Sequence, residues 1–210
     1  MLKFKSVNRL KSSNDNKTFL YIDGTNLLAG LVEIFGFKKV PSFNSIIKDF
    51  KKIYAFDRIY LYASYTPSTH WNLRNVKIKK QIQEELVFYN EARKYPSLIF
   101  YKGYRSLTSQ KEKGVDVHLA VDIVKDSFLK RFDKAIVVSG DADFAYSVEI
   151  ARKMGRKIYS LFIPSRFSFA IAYQSLSAHV INYNRFFQKK YKFKNKMPNL
   201  KIVEIKKPRS

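Results

Sequence analysis

The sequence predicts an α/β protein built on a doubly wound parallel sheet of about five to six strands, with helices on both faces. Short β-branched and aromatic runs alternate along the chain with longer segments of helical period, and the connections between them are short. The chain has 210 residues, of which 46% are hydrophobic, so it suits one domain with room for a core.

The individual elements follow from period and from turn residues. The predicted strands are 18–23, 58–64, 97–104, 134–140, 156–164 and 179–183. The predicted helices are 26–36, 43–54, 70–94, 114–132, 144–155 and a short one at 169–176. Gly36 and Gly155 each end a segment of helical period, which is typical of a helix C-terminus.

The two ends of the chain differ in composition from the middle. Residues 1–16 are basic, and we expect them to be flexible; residues 17–183 carry the alternating pattern of the domain. From 184 to 210 the chain becomes a lysine-rich tail with interleaved aromatic residues, which we expect to be extended or partly disordered. Such a tail could stack single-stranded bases, or it could add only charge.

Net charge is the strongest global signal. The chain has 40 Lys and Arg against 17 Asp and Glu, a formal charge of +23. Such an excess favours phosphate backbones or anionic lipid surfaces as partners. Compositional drift toward lysine is the alternative, but it does not readily explain why glutamate is scarce. Nucleic acid is therefore the favoured partner.

Several function classes are excluded or disfavoured by what the sequence lacks. The chain has no cysteine, so it can form neither disulfides nor thiolate metal sites, and this composition fits a reducing cytoplasm. No stretch approaches the roughly 20 apolar residues of a membrane span, and no secretory h-region is present near the start. We expect a cytoplasmic protein with no membrane partner.

Acidic residues gather at the predicted carboxyl ends of strands and at one helix start. Asp23 ends the first strand in "TFLYIDGTNLL", and Asp141 and Asp143 follow the fourth in "AIVVSGDADF". Asp116 opens a helix in "KEKGVDVHLAVDIV". Open α/β sheets bind their ligands in the crevice at the carboxyl ends of the strands. Each aspartate could instead cap a helix or shape a turn.

Carboxylates gathered in one crevice repel each other, and a hard divalent cation relieves that repulsion. Mg²⁺ and Mn²⁺ prefer carboxylate and water oxygens, so the pattern predicts a magnesium or manganese site. Asp122 lies six residues after Asp116, about 120° around a helix of ~3.6 residues per turn. It should therefore lie on another face, in a supporting role.

Two enzyme families have motifs of this kind. Phosphatases of the haloacid-dehalogenase type end a strand in Asp-x-Asp-Gly-Thr, but their nucleophilic aspartate would correspond to Tyr21 here. The motifs "YIDGTNLL", "KGVDVHLAVDIV" and "VVSGDADFAYSVEIARKMGRKIY" resemble, in order and spacing, the NYN domain, a PIN-like group of metal-dependent nucleases. The resemblance covers residues 18–183, and the third motif is the most specific.

The resemblance implies a sheet of 3-2-1-4-5 order whose acidic crevice binds one or two Mg²⁺ or Mn²⁺ ions and cleaves phosphodiesters, most often of RNA. It implies that the metal is held by Asp23, Asp116, Asp141 and Asp143. Asn26 would orient the substrate or a water, and Thr25 and Ser139 would offer hydroxyls at the same edge. Some members of the group bind without cleaving.

Basic residues near the crevice are candidates for holding phosphates. They are Lys102, Arg105, Lys113 and Arg152, although a solvated charged surface is the ordinary explanation for each. The hypothesis from sequence is a Mg²⁺- or Mn²⁺-dependent ribonuclease acting on single-stranded RNA, with DNA also possible. The alternative is a non-catalytic nucleic-acid-binding module with a vestigial acidic site. The oligomeric state stays open, and a homodimer is compatible with the sequence.

Overall fold

The computed structural model describes residues 17–64, 76–105, 112–187 and 197–207. Its centre is one sheet of seven strands, all parallel, in the order β3-β2-β1-β6-β7-β8-β9. These strands are β1 (Thr18–Asp23), β2 (Arg58–Ala63), β3 (Leu98–Lys102), β6 (Lys134–Val138), β7 (Lys157–Phe162), β8 (Ser177–Tyr183) and β9 (Leu200–Ile205). The predicted class and the implied 3-2-1-4-5 order of the main strands are confirmed.

The prediction of five to six strands was wrong, because the C-terminal segment adds a seventh. Leu200–Ile205 pairs with β8 from Ala178↔Leu200 to Tyr183↔Ile205, although the sequence predicted an extended or partly disordered tail from 184 to 210. Residues 188–196 and 208–210 of that tail lie outside the described residues, as does the basic segment 1–16. This strand was not predicted because the β-branched run "KIVEI" is short and lies among lysines, which are uncommon in strands.

In the part of the chain that the structure describes, six α-helices cover the two faces of the sheet. They are α1 (Gly24–Phe35), α2 (Phe43–Lys51), α3 (Val76–Arg93), α4 (Val115–Phe128), α5 (Ala145–Lys153) and α6 (Phe169–Gln174). Each falls within two residues of its prediction at the N-terminus, except α3, whose predicted first residues 70–75 lie outside the described part. Gly36 follows α1 with φ of 78°, a left-handed backbone that glycine adopts without strain.

A small antiparallel hairpin, β4 (Tyr104–Arg105) with β5 (Glu112–Lys113), was not predicted. Two-residue strands leave too little alternation for a periodicity argument to detect. The hairpin stands between β3 and α4, and so beside the end of the sheet at which the strands finish. We call this end the carboxyl edge, and the opposite end the amino edge.

The core divides into two clusters, one on each face of the sheet. Leu20 and Ile22 of β1 pack with α1, α2 and α3, whereas Phe19 and Tyr21 pack with α4, α5 and α6. Successive side chains of a strand point to opposite faces, so Asp23 projects on the same face as Tyr21. No helix in the described ranges is long and apolar enough to cross a membrane.

Candidate functional site

The candidate site lies at the carboxyl edge, where β1 and β6 run side by side. From β1 the chain builds the sheet outward through β2 and β3, then returns to place β6 on the other side. The crevice at such a reversal of strand order is where open α/β sheets bind ligands. Asp23 ends β1, and the loop Ser139–Gly140–Asp141 follows β6.

Two hydrogen bonds orient the buried carboxylate of Asp23. Its Oδ1 accepts from the backbone N–H of Asn26 at 3.0 Å, which caps the N-terminus of α1. Its Oδ2 accepts from the Ser139 hydroxyl at 2.9 Å. The capping role that the sequence left open for Asp23 is therefore present, but the bond to Ser139 also ties it to the β6 loop, 116 residues away.

The Ser139 hydroxyl links the two aspartates that end β1 and follow β6. While donating to Asp23, it accepts from the backbone N–H of Asp141 at 3.1 Å. Asp141 in turn accepts from the N–H of Asp143 at 3.0 Å and begins a short 3-10 helix. We call Asp23, Asn26, Ser139, Gly140 and Asp141 the edge network.

Asn26 and Gly140 close the edge network. The Asn26 Oδ1 accepts from the Gly140 N–H at 2.9 Å, so the asparagine of the first motif fixes the loop of the third. A Cβ on Gly140 would lie 2.3 Å from the carbonyl oxygen of Arg166, in the loop after β7. Only glycine allows this approach, and Arg166 is a neighbour that the sequence analysis missed.

The remaining predicted acidic residues lie around the edge network. Asp143 is exposed in the 3-10 helix, and Asp116 is exposed in the first turn of α4. Thr25 is half-buried in the first turn of α1, directly after Asp23. The hydrogen bonds of the edge network do not include Asp116.

The predicted basic residues fall at different places. Lys102 is exposed at the end of β3 on the carboxyl edge. Arg105 and Lys113 lie in the β4–β5 hairpin beside that edge. Arg152, by contrast, lies in the last turn of α5 and donates to the Gln174 carbonyl at 2.7 Å. Because nine-residue α5 begins beside Asp141 and runs for about 13 Å, it carries Arg152 toward the amino edge. The structure does not bring Arg152 to the crevice.

Two tyrosine–aspartate pairs lie beneath the site, between α4 and the sheet. The Tyr62 hydroxyl donates to Asp122 at 2.8 Å, and Lys125 also pairs with Asp122. The Tyr21 hydroxyl donates to Asp126 at 2.8 Å, and Arg131 donates to the same carboxylate at 3.0 Å. Burial, followed by the neighbouring aspartates, raises the pKa of both tyrosines.

Sequence reasoning gave Asp122 a supporting role and missed Asp126. Asp122 accepts a hydrogen bond from Tyr62, so it lies between α4 and the sheet, and Asp126 is 1% exposed. One signal was available: Tyr21 stands within a buried strand, and a buried hydroxyl needs a partner. Its partner is 105 residues away, so no local pattern could identify it.

The carboxylate oxygens of the edge network are ligands that a divalent metal prefers, but the described residues do not form a complete set of metal ligands. Among residues 17–64, 76–105, 112–187 and 197–207, no three His, Asp or Glu side chains form a group that could hold a metal ion. The Ser139 hydroxyl joins the Asp23 carboxylate to the backbone N–H of Asp141, and Mg²⁺ is commonly held by one or two carboxylates with waters and substrate phosphates completing its shell. A two-carboxylate site therefore fits the residues present.

Comparisons with known proteins agree with this fold. The family model of the NYN domain matches residues 17–184, which include every residue of the edge network. No curated protein matches the chain. A crystal structure of a protein of unknown function from Vibrio parahaemolyticus is similar, with a TM-score of 0.56 at 17% identity over 82% of this chain and 96% of that one.

A nicotinamidase from Staphylococcus aureus also matches, at 16% identity over 75% of this chain and 88% of that one, with a TM-score of 0.34. A TM-score at this level carries no argument about the chain. The Vibrio parahaemolyticus protein supports the fold alone, because its sequence identity is too low to transfer a function.

Proposed function

The chain belongs to the NYN domain family, whose domains are generally nuclease-like, and from this premise we propose that it hydrolyses phosphodiester bonds of single-stranded RNA with Mg²⁺ or Mn²⁺. The observation that carries the proposal is the edge network. It joins two aspartates from sequence-distant strands through Ser139, at the reversal of strand order. DNA remains a second substrate to be tested.

In this proposal Asp23 and Asp141 hold the metal. The Ser139 hydroxyl and the Asn26 amide N–H are neutral donors that orient the Asp23 carboxylate. Asp141 is only half-buried, so it can take part in binding a hydrated ion. Asp143 and Asp116, both exposed at the same edge, would hold waters of the ion or add to the site once substrate is bound.

A divalent ion at this site supplies Lewis-acid chemistry, because it neutralises charge that builds up on the phosphate and lowers the pKa of a water. The chain's own residues do the positioning. Asn26 holds the Gly140 loop through its Oδ1, and its amide NH₂ provides donors for a phosphate oxygen or a water. Ser139 keeps the two aspartates at a fixed separation.

The charge distribution supports a nucleic-acid substrate. A chain of formal charge +23 attracts a polyanion, whereas the carboxylates of the edge network repel its phosphates until a cation is present. In this proposal Lys102, exposed at the end of β3 on the carboxyl edge, holds the backbone beside the crevice. Arg105 and Lys113 belong to the adjoining hairpin.

A second candidate function is a binding module that does not cleave. The observation that favours it is the lack, within the described ranges, of three acidic or histidine side chains grouped to hold a metal. A binding module would retain affinity for RNA and would not depend on the charge of Asp141.

The test is a cleavage assay on end-labelled single-stranded RNA and matched DNA with Mn²⁺, Mg²⁺ or EDTA. Wild type is compared with Asp141→Asn, in which the amide oxygen can still accept from the Asp143 N–H. The matched control is Asp133→Asn, because Asp133 is a partly exposed aspartate before β6, at the amino edge, that pairs with Lys157.

Metal-dependent cleavage that falls at least about 100-fold in Asp141→Asn and is retained in Asp133→Asn supports the nuclease. Equal RNA binding by all three proteins with no cleavage supports the binding module instead. Equal cleavage by all three identifies a contaminating nuclease and contradicts the assignment of the site. The ratio of RNA to DNA cleavage then decides the substrate.

A further inference from the structure

One row of side chains crosses the sheet from the edge network to its outer strand. Asp23 of β1 pairs in register with Tyr62 of β2, and Tyr62 pairs in register with Tyr101 of β3. Residues in register on parallel strands project on the same face, and neighbouring strands lie about 4.8 Å apart. Tyr101 therefore lies about 10 Å from Asp23, on the face covered by α4.

A histidine ring lies flat on the outer end of this row. The imidazole of His118, in the first turns of α4, stacks on the Tyr101 ring with centroids 4.1 Å apart and an interplanar angle of 26°. His118 is exposed, Tyr101 is half-buried and Tyr62 is buried, so the rings run from the core to solvent.

The lower part of this ring row is held rigidly. The Tyr62 ring lies 5.8 Å from that of Tyr101, and its hydroxyl donates to Asp122 of α4 at 2.8 Å. The same helix that carries His118 is thus fixed to the sheet through Tyr62. An exposed ring whose orientation is set in advance loses little conformational entropy when a ligand stacks on it.

We propose that His118, supported by Tyr101, is a stacking platform for one base of a single-stranded nucleic acid whose backbone crosses the edge network. This deepens the proposed function and rests on it for the position of the substrate. Every base has an aromatic face, so stacking of this kind binds single strands with little sequence preference. Paired bases are already stacked in a duplex, so the platform selects unpaired nucleotides.

The platform and the acidic crevice have separate tasks in this arrangement. Asp23 and Asp141 would hold the metal that binds the phosphate, while His118 fixes the position of a base about two strand spacings away. Stacking on rings is a common way to hold single strands without sequence preference.

The experiment measures binding of fluorescein-labelled single-stranded RNA by anisotropy, in the Asp141→Asn background so that the strand stays intact. His118→Ala removes the stacking ring, and His118→Phe keeps an aromatic ring on Tyr101 without the imidazole. Val117→Ala is the matched control, because Val117 is the preceding exposed residue of α4. Thermal melting of each variant checks that the fold is retained.

We expect His118→Ala to weaken binding by about 5- to 20-fold, the lower range for loss of one base stack. His118→Phe should bind within about twofold of the parent, and Val117→Ala should bind like it. A series of RNAs with one abasic position gives the decisive coupling. An RNA that lacks the base at the stacked position should bind the parent protein more weakly than the intact RNA does. The same RNA and the intact RNA should bind His118→Ala equally.

The two proposals can fail separately. Metal-dependent cleavage together with unchanged RNA binding by His118→Ala overturns the stacking platform and leaves the nuclease in place. Weakened binding with abasic coupling, but no cleavage by wild type, supports the platform and contradicts the nuclease. A loss of binding that is equal in His118→Ala and His118→Phe, with no abasic coupling, overturns the platform, because it assigns the loss to a polar contact of the imidazole nitrogens rather than to ring stacking.

Discussion

Asp23 and Asp49 are both buried aspartates, 4% and 2% exposed, but their surroundings differ. Asp49, in α2, accepts from the Lys52 and Lys207 ammonium groups at 2.8 Å each and from the Tyr183 hydroxyl at 3.0 Å. Asp23 accepts from the Ser139 hydroxyl and the Asn26 amide N–H, which are neutral.

The difference indicates different tasks for two similar side chains. Burial by itself acts to raise the pKa of Asp49, but hydrogen bonds from Lys207 and Lys52 outweigh it and hold that pKa below its usual range. Lys207 comes from the segment after β9, so the Asp49 cluster fastens the C-terminal segment to α2. The donors to Asp23 orient its charge, which suits an external cation.

The largest contrast should come from matched substitutions of these two residues. Asp49→Asn leaves Lys207, only 16% exposed, without its counter-charge, and we expect it to reduce the free energy of unfolding by about 3 kcal/mol. Asp23→Asn should change that free energy by less than about 1 kcal/mol while reducing metal-dependent cleavage at least about 100-fold. Urea unfolding and the RNA cleavage assay measure the two quantities.

For these variants, cleavage is compared per folded molecule, at a temperature where both remain native. Full cleavage by Asp49→Asn and full stability of Asp23→Asn support a structural role for Asp49 and a role in cleavage for Asp23. If Asp23→Asn unfolds as easily as Asp49→Asn, Asp23 is a structural cap and the comparison fails.

A methyl group at Gly140 tests whether the edge network needs its close approach to the loop after β7. The added Cβ would lie 2.3 Å from the Arg166 carbonyl oxygen, so Gly140→Ala must shift the loop and should cost about 1–3 kcal/mol of stability. Because the shift moves Ser139 and Asp141, cleavage should fall as well.

Gly155→Ala is the control for that substitution. Gly155 has φ of 81° and a Cβ there would meet no described atom within 4 Å, so its cost is conformational strain of about 1 kcal/mol. We expect it to lower the melting temperature and leave cleavage unchanged. Equal activity of the two alanine variants would show that the approach to Arg166 does not position the site.

The last effect concerns the dependence of stability on pH, and it arises at His179 in β8. Burial, with Lys201 nearby, lowers the pKa of His179 to about 4, and its Nδ1 contacts the Tyr54 hydroxyl at 2.6 Å. An unfolded histidine titrates near 6.5, so between about pH 6.5 and 4 the unfolded chain binds the proton that the folded chain refuses. Stability should therefore fall as pH falls through this window.

His179→Gln keeps an acceptor for Tyr54 and removes the titration, so its unfolding free energy should vary less between about pH 6.5 and 4. Asp49 affects stability at lower pH than His179. Its stabilisation is present above the unfolded pKa near 3.8 and is lost as pH falls through its depressed folded pKa. Denaturant unfolding at a series of pH values measures both. An identical pH profile in wild type and His179→Gln contradicts the assignment.

Much of the fold and part of the site follow from local sequence. The runs that became β1 and β6 are apolar and β-branched, and Gly24 follows the first while Ser139 and Gly140 follow the second, so their ends could be placed within two residues. Since parallel strands finish at one edge, Asp23, Asn26, Ser139 and Asp141 could be predicted as neighbours without any knowledge of their contacts. The ribonuclease activity, the metal and the boundary at 184 stay predictions.

The sequence by itself determined the alternating class and the two motifs that meet at the carboxyl edge, because these depend on period, turn residues and short connections. The order of the five main strands was implied only by the resemblance to the NYN domain. Only the tertiary structure decided that β9 joins the sheet, that Arg152 lies away from the crevice, and that Tyr21 pairs with Asp126. Each of these depends on how distant segments pack: a short strand is stabilised by its neighbour, and a buried hydroxyl by a partner that no local pattern specifies.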